Sequence, residues 1–107
     1  MSSRSSEPQL TLIRWRDIPA QVTARRGRDT AKRELSARFQ VAIDRAAMYA
    51  GLFGTDEYLA EWQRDTFSCG ADLEAEVAAM AARLEAEFTS EALNELAGNG
   101  GWRTADA

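Results

Sequence analysis

Few side chains in this sequence are equipped for chemistry. Histidine is absent and cysteine occurs once, at Cys69. Without imidazole the chain lacks the commonest general base and the commonest metal ligand. One thiol cannot build an ordinary zinc site, so no metal and no cofactor is expected. Cys69 falls just before a helix expected to open at Asp72, where free N–H groups can lower a thiol pKa. It is therefore a candidate reactive thiol, although an isolated cysteine is more often a small buried hydrophobe. Glu74 and Glu76, like Glu85 and Glu87, stand two apart on a helical pattern and point to different sides. They read as a solvated face rather than as paired catalytic carboxylates. The glycines at 51 and 54 have neither the lysine nor the spacing of a phosphate loop. Catalysis is disfavoured.

The strongest binding feature is a run of cations: Arg25, Arg26, Arg28, Lys32 and Arg33. The pattern puts them at a turn and in the first turns of a helix, where backbone N–H groups also attract anions. Trp15 offers a stacking surface and completes a candidate partner- or anion-binding set. The first fifty residues carry ten Lys/Arg against five Asp/Glu, the remainder three against twelve. Either the two halves neutralise one another within the molecule, or they present faces of opposite sign, one of which recruits a partner. Nucleic acid is the least favoured partner, because the net charge is −4 and no nucleic-acid motif is present. A protein partner or a small anionic ligand ranks above it, and self-association stays open. Trp15, Tyr58 and Trp62 read first as fillers of a small core and second as an aromatic interface patch.

These groups must be positioned by a short list of elements. Leu10 to Trp15 alternates with a period of two, as a half-buried strand does. Asp17-Ile18-Pro19 interrupts it with a turn or bulge, and Ala20 to Arg25 resumes the alternation as the second arm of a hairpin. Gly27 supplies turn freedom, and Asp29 is expected to cap a long helix starting at Thr30. Leu35, Phe39, Ala42, Ile43, Ala46 and Ala50 form its apolar face, with glycines 51 and 54 as its stop. Residues 58–66 suit either a helix or a strand, and a strand is preferred because a hairpin alone needs a third partner. Asp72 opens a clear helix with an apolar stripe from Leu73 through Val77, Met80, Ala81 and Leu84 to Phe88. Residues 90–97 make a further short helix.

The expected class is α+β: a small antiparallel sheet, a hairpin plus a third strand, covered on one face by two amphipathic helices, with a short C-terminal helix. Length fits one domain over 10–97, with a disordered tail at 1–9 and a flexible one at 98–107. No apolar run approaches the roughly 20 residues that span a bilayer, so no membrane association is expected. A lone cysteine fits a reducing compartment, and the start of the chain lacks the apolar core of a signal peptide. A cytoplasmic location follows as the expectation.

Four pieces of the chain resemble a small bacterial domain family labelled "virulence factor". They are Ile13-Arg14-Trp15-Arg16, Arg25-Arg26-Gly27-Arg28, Arg38-Phe39 with Ile43-Asp44, and Tyr58-Leu59 with Trp62. The likeness covers roughly residues 10–90 and extends to the corresponding segment of conserved virulence factor C proteins. The label records a phenotype, so the resemblance implies no catalytic residue and no cofactor. It does imply an accessory role in one-carbon metabolism, beside larger methyl-transfer enzymes. The functional expectation is a non-catalytic interaction protein that binds a larger protein partner. The alternative is an anionic-ligand-binding or catalytic protein that uses the Arg25–Arg33 turn.

Overall fold

The computed structural model describes residues 7–52, 54 and 56–103. The outer parts of both expected tails, residues 1–6 and 104–107, lie outside the described residues. In chain order the elements are β1 (Gln9–Trp15), β2 (Ile18–Arg26), β3 (Asp29–Glu34), α1 (Ala37–Ala50), α2 (Asp56–Ala60), β4 (Trp62–Ser68), α3 (Leu73–Glu87) and α4 (Ser90–Gly98). The four strands form one antiparallel sheet in the order β3-β2-β1-β4. An α+β fold is what the sequence pattern implied.

Two tight turns build the β1–β2–β3 meander. Trp15 faces Ile18 and Arg26 faces Asp29, so each turn has two central residues. At the second, Gly27 takes φ +60°, the positive value that a two-residue hairpin with glycine in its first central place requires. At the first, Arg16 holds φ +54° without being glycine. Between them the register shifts at Ile13/Arg14, where β2 carries Ala20 as an extra residue.

This meander corrects the helix boundary. Residues 29–34 were expected to open the long helix, with Asp29 as its cap. Instead they form β3, and the helix begins at Ala37. Ala31 and Leu35 stand four apart, a spacing that suits a helix, but Ala31 pairs with Ala24 of β2 and both are buried. A non-local ladder outweighs local periodicity here. The segment at 58–66 splits between its two readings, with Tyr58 in α2 and Trp62 opening β4.

The core lies between the sheet and the helices. Leu10, Val22, Ala24 and Ala31 meet the stripe Leu73, Val77, Ala81 and Leu84 on α3, which packs on β2 and β3. α1 packs on β2 and on α4, burying Phe39, Ala42, Ile43, Ala46 and Ala47. Each large apolar side chain removed from water here contributes about 1.5–3 kcal/mol. Asp72 caps α3 by accepting the Ala75 N–H at 3.2 Å, and Thr89 caps α4 through Ala92. The N-terminus of α1 is capped from another element: Glu85 of α3 accepts from the Ser36 N–H at 2.6 Å and the Ser36 hydroxyl at 2.9 Å, and pairs with Arg38 at 3.1 Å.

The residues after α4 continue the fold as far as Arg103. Gly100 and Gly101 are buried, and the Gly101 carbonyl accepts the Asp17 N–H at 2.9 Å. The Arg16 guanidinium lies 5.0 Å from the ring centres of both Trp15 and Trp102. It also donates to the Gly100 carbonyl at 2.9 Å. Trp102 thus anchors the segment that follows α4 on the β1–β2 turn.

Candidate functional site

The two faces of the sheet differ in chemistry, and strand alternation decides which cations share a face. Cross-strand partners project to the same side. Leu10 with Ala24, and Ala24 with Ala31, belong to the buried side. The other side reads across the strands as Thr30, Arg25, Gln9 and Ser68, then Lys32, Thr23, Thr11 and Thr66, then Glu34, Gln21, Ile13 and Arg64. All twelve are exposed or half-exposed. Arg25, Lys32 and Arg64, with Thr11, Thr23 and Thr30, line an open depression of about 360 Å³. Arg64 continues into a larger one of about 650 Å³ that runs over Ile13, Gln21 and Trp62 to Leu35 and Gln40 beside the start of α1.

The pleat therefore divides the expected basic cluster. Arg25 and Lys32 stay together on the open face as diagonal neighbours across β2 and β3. Arg26 and Arg33 occupy places in register with Asp29 and Val22, on the other side, and Arg28 sits in the turn. None of these five stands at a helix N-terminus, because four lie in strands and Arg28 in the turn between them. The expected contribution from helix N–H groups is thereby removed.

Trp15 also leaves the set. It is completely buried, its ring lies 5.5 Å from Tyr58, and its Nε1–H donates to the Tyr58 carbonyl at 2.8 Å. It cannot stack on a partner's base or side chain. Cys69 is half-buried, and burial, with Glu76 nearby, pushes its thiol pKa upward. Glu76 is drawn there by the Gly70 N–H, 3.0 Å from its Oε2. The local field opposes a thiolate, the reverse of what a reactive cysteine needs.

Ion pairing separates the cations further. Arg14 bonds Asp65 through Nε at 2.6 Å and Nη2 at 3.2 Å. That bond holds the Asp65 carboxyl below its usual range and raises the guanidinium. Arg16 faces Glu61, Arg38 faces Glu85, and Arg103 faces Glu87, while Arg45 donates to Asn94. Among the described residues, Arg25, Arg26, Arg28, Lys32, Arg33 and Arg64 make no ion pair. The neutralisation of the basic half by the acidic half does not reach this group. Arg64 was missed as a site residue, because its place beside Arg25 and Lys32 depends on β4 pairing with β1. The only local signal was its alternation with Trp62 and Thr66.

Among the described residues no cluster of His, Cys, Asp or Glu could hold a metal ion. No helix there is long and apolar enough to cross a membrane. In comparison with known families, residues 13–97 match a family described as "Virulence factor". No curated protein and no solved structure matches the chain.

Proposed function

The chain belongs to the virulence factor family, and from that premise we propose that it is a non-catalytic accessory protein that binds a larger protein partner through the open face of its sheet. The observation that carries this reading is the set Arg25, Lys32 and Arg64, three exposed cations on one side of one sheet with no ion pair among the described residues. Glu34 is the only carboxylate in the rows they occupy. From Lys32 on one edge to Arg64 on the other spans roughly 14 Å, three strand spacings. That breadth suits an acidic protein surface. Burial of Trp15 and the overall acidity of the chain weigh against nucleic acid. The family resemblance suggests a larger enzyme of one-carbon or methyl-transfer metabolism as the partner, in the cytoplasm.

The test is affinity capture of the tagged protein from its host at low and high salt, with mass spectrometry of what co-elutes. It is run beside a variant carrying Arg25→Glu, Lys32→Glu and Arg64→Glu. The expected result is a stoichiometric partner that leaves at high salt and is absent from the variant. Such exposed substitutions change stability by only about 0.5 kcal/mol each, so circular dichroism serves as the folding control. A partner retained by the triple variant refutes the reading. A ligand binder would instead show a thermal shift with folates, nucleotides or phosphorylated metabolites. Ligand at about 100 times its Kd adds roughly 2.7 kcal/mol of stability.

A further inference from the structure

The two edges of the sheet are guarded unequally. β3 carries Asp29, Lys32, Arg33 and Glu34 in six residues, the density of charge with which proteins block unwanted strand pairing. β4 carries only Arg64 and Asp65 in seven, and Asp65 is occupied by Arg14. No described strand lies beyond β4.

The ladder shows which backbone groups of β4 face outward. At its two ends the Arg16 N–H donates to the Glu61 carbonyl and the Cys69 N–H to the Pro8 carbonyl, at 3.1 and 3.4 Å. Bonded pairs recur at every second residue of an antiparallel ladder. Gln63, Asp65 and Phe67 therefore turn their N–H and C=O groups to β1, opposite Arg14, Leu12 and Leu10. The backbone groups of Trp62, Arg64, Thr66 and Ser68 point away from it, a row of donors and acceptors with no bond among the described residues. Their side chains belong to the open face. On the opposite face of the strand, Phe67 is 47% exposed.

We propose that the outer edge of β4 accepts, as a fifth strand, an extended segment of a protein partner in which acidic and β-branched apolar residues alternate. The inference rests on the reading of the protein as a partner-binding module and names the mode of binding. Main-chain bonds to Arg64 and Thr66 supply the pairing. Acidic side chains of the added strand lie on the open face beside Arg64, with Lys32 and Arg25 on the same side. Its apolar side chains lie on the other face, against Phe67. There the charge of Asp65 is already neutralised by Arg14.

The probe is the heptapeptide Glu-Val-Glu-Val-Glu-Val-Glu with blocked ends, titrated into the full chain and followed by amide NMR and hydrogen exchange. Saturable shifts and slowed exchange at the amides of Arg64, Thr66 and Ser68 are expected. Thr66→Pro removes one outward N–H and no backbone bond to β1, a place where an edge strand tolerates proline; the hydroxyl contact of Thr66 with Thr11 at 3.4 Å is lost in Thr66→Ala as well. Thr66→Pro should weaken binding by about tenfold or more, whereas Thr66→Ala keeps the N–H and binds within a few-fold. No change at these amides at about 1 mM peptide overturns the proposal. Equal binding of a lysine-for-glutamate peptide, or undiminished binding by Thr66→Pro, does so too. Concentration-dependent shifts at the same amides without peptide mean that a second copy fills the edge, which also overturns it. Arg25→Glu with Lys32→Glu separates the two readings. If that pair abolishes binding while Thr66→Pro does not, strand addition fails and the open face stands.

Discussion

Replacing Gly101 by alanine tests whether the segment that follows α4 belongs to the fold. An added Cβ would lie 2.9 and 3.2 Å from Cζ3 and Cε3 of Trp15 and 3.3 Å from Cβ of Arg16. Trp15 is fully buried and held by its bond to Tyr58, so its ring cannot swing away freely. Gly101 also has φ +96°, a conformation costly for any residue with a side chain. Backbone strain of about 1–2 kcal/mol and overpacking of about 1–3 kcal/mol sum to roughly 2–5 kcal/mol. For a domain of this size each kcal/mol moves Tm by about 4–8 °C, so a loss on the order of 10 °C or more is expected. Gly98, three residues earlier, provides the internal control. It ends α4, its φ is not positive, and nothing lies within 4 Å of its added Cβ. Gly98→Ala should be neutral or stabilising by up to about 1 kcal/mol. Urea unfolding followed by tryptophan fluorescence and far-UV circular dichroism measures both. If Gly101→Ala costs less than about 0.5 kcal/mol, the segment after α4 is not packed on Trp15.

Further outcomes follow from the same geometry. Glu85→Ala removes both acceptors from Ser36 and the pair with Arg38, and is expected to lower stability by about 1–2 kcal/mol. A denaturation midpoint unchanged from the parent would show that α1 is capped some other way. Asp65 is depressed by its bond from Arg14, so its contribution is present above the ordinary aspartate value of 3.8 and is lost as pH falls through the lower folded value. The stability gap between the parent and Asp65→Asn should therefore close in acid. A gap that persists unchanged at pH about 2 contradicts that linkage. The Cys69 thiol is raised from its ordinary value of 9.0, so iodoacetamide should alkylate it more slowly at neutral pH than a free cysteine. Faster alkylation would restore a reactive role.

Local patterns carried much of this architecture. β1, β2, α3 and α4 could be read because their periodicity and caps lie within the segments themselves. β3 could not, since Thr30 to Leu35 is as good a helix as a strand until Ala31 meets Ala24. Even so, Gly27-Arg28 between two runs was the signature of a two-residue hairpin turn. The same misreading placed Lys32 and Arg33 in the first turns of a helix, directly after the arginines of the turn. A strand divides neighbours between two faces, leaving Arg25 and Lys32 together while drawing in Arg64 from a distant part of the chain. The cap supplied by Glu85 and the anchoring of Trp102 by Arg16 likewise join residues far apart, which no window of sequence reveals.

The strand order also sets a timetable for folding. β1, β2 and β3 are linked by two-residue turns, so their pairings close small loops early. β4 pairs with β1 from Trp15↔Trp62 outward, and must bring its end back across forty-six intervening residues. Relative to a two-residue turn, that closure costs about 3 kcal/mol more in chain entropy. Completion of the sheet therefore depends on α1 and α2 having shortened the path. β4 becomes the last strand to arrive and the first to leave, and its amides should exchange through openings smaller than global unfolding. Each opening frees the β1 edge as well, so the place where this molecule breathes is the boundary of its sheet, one strand in from solvent.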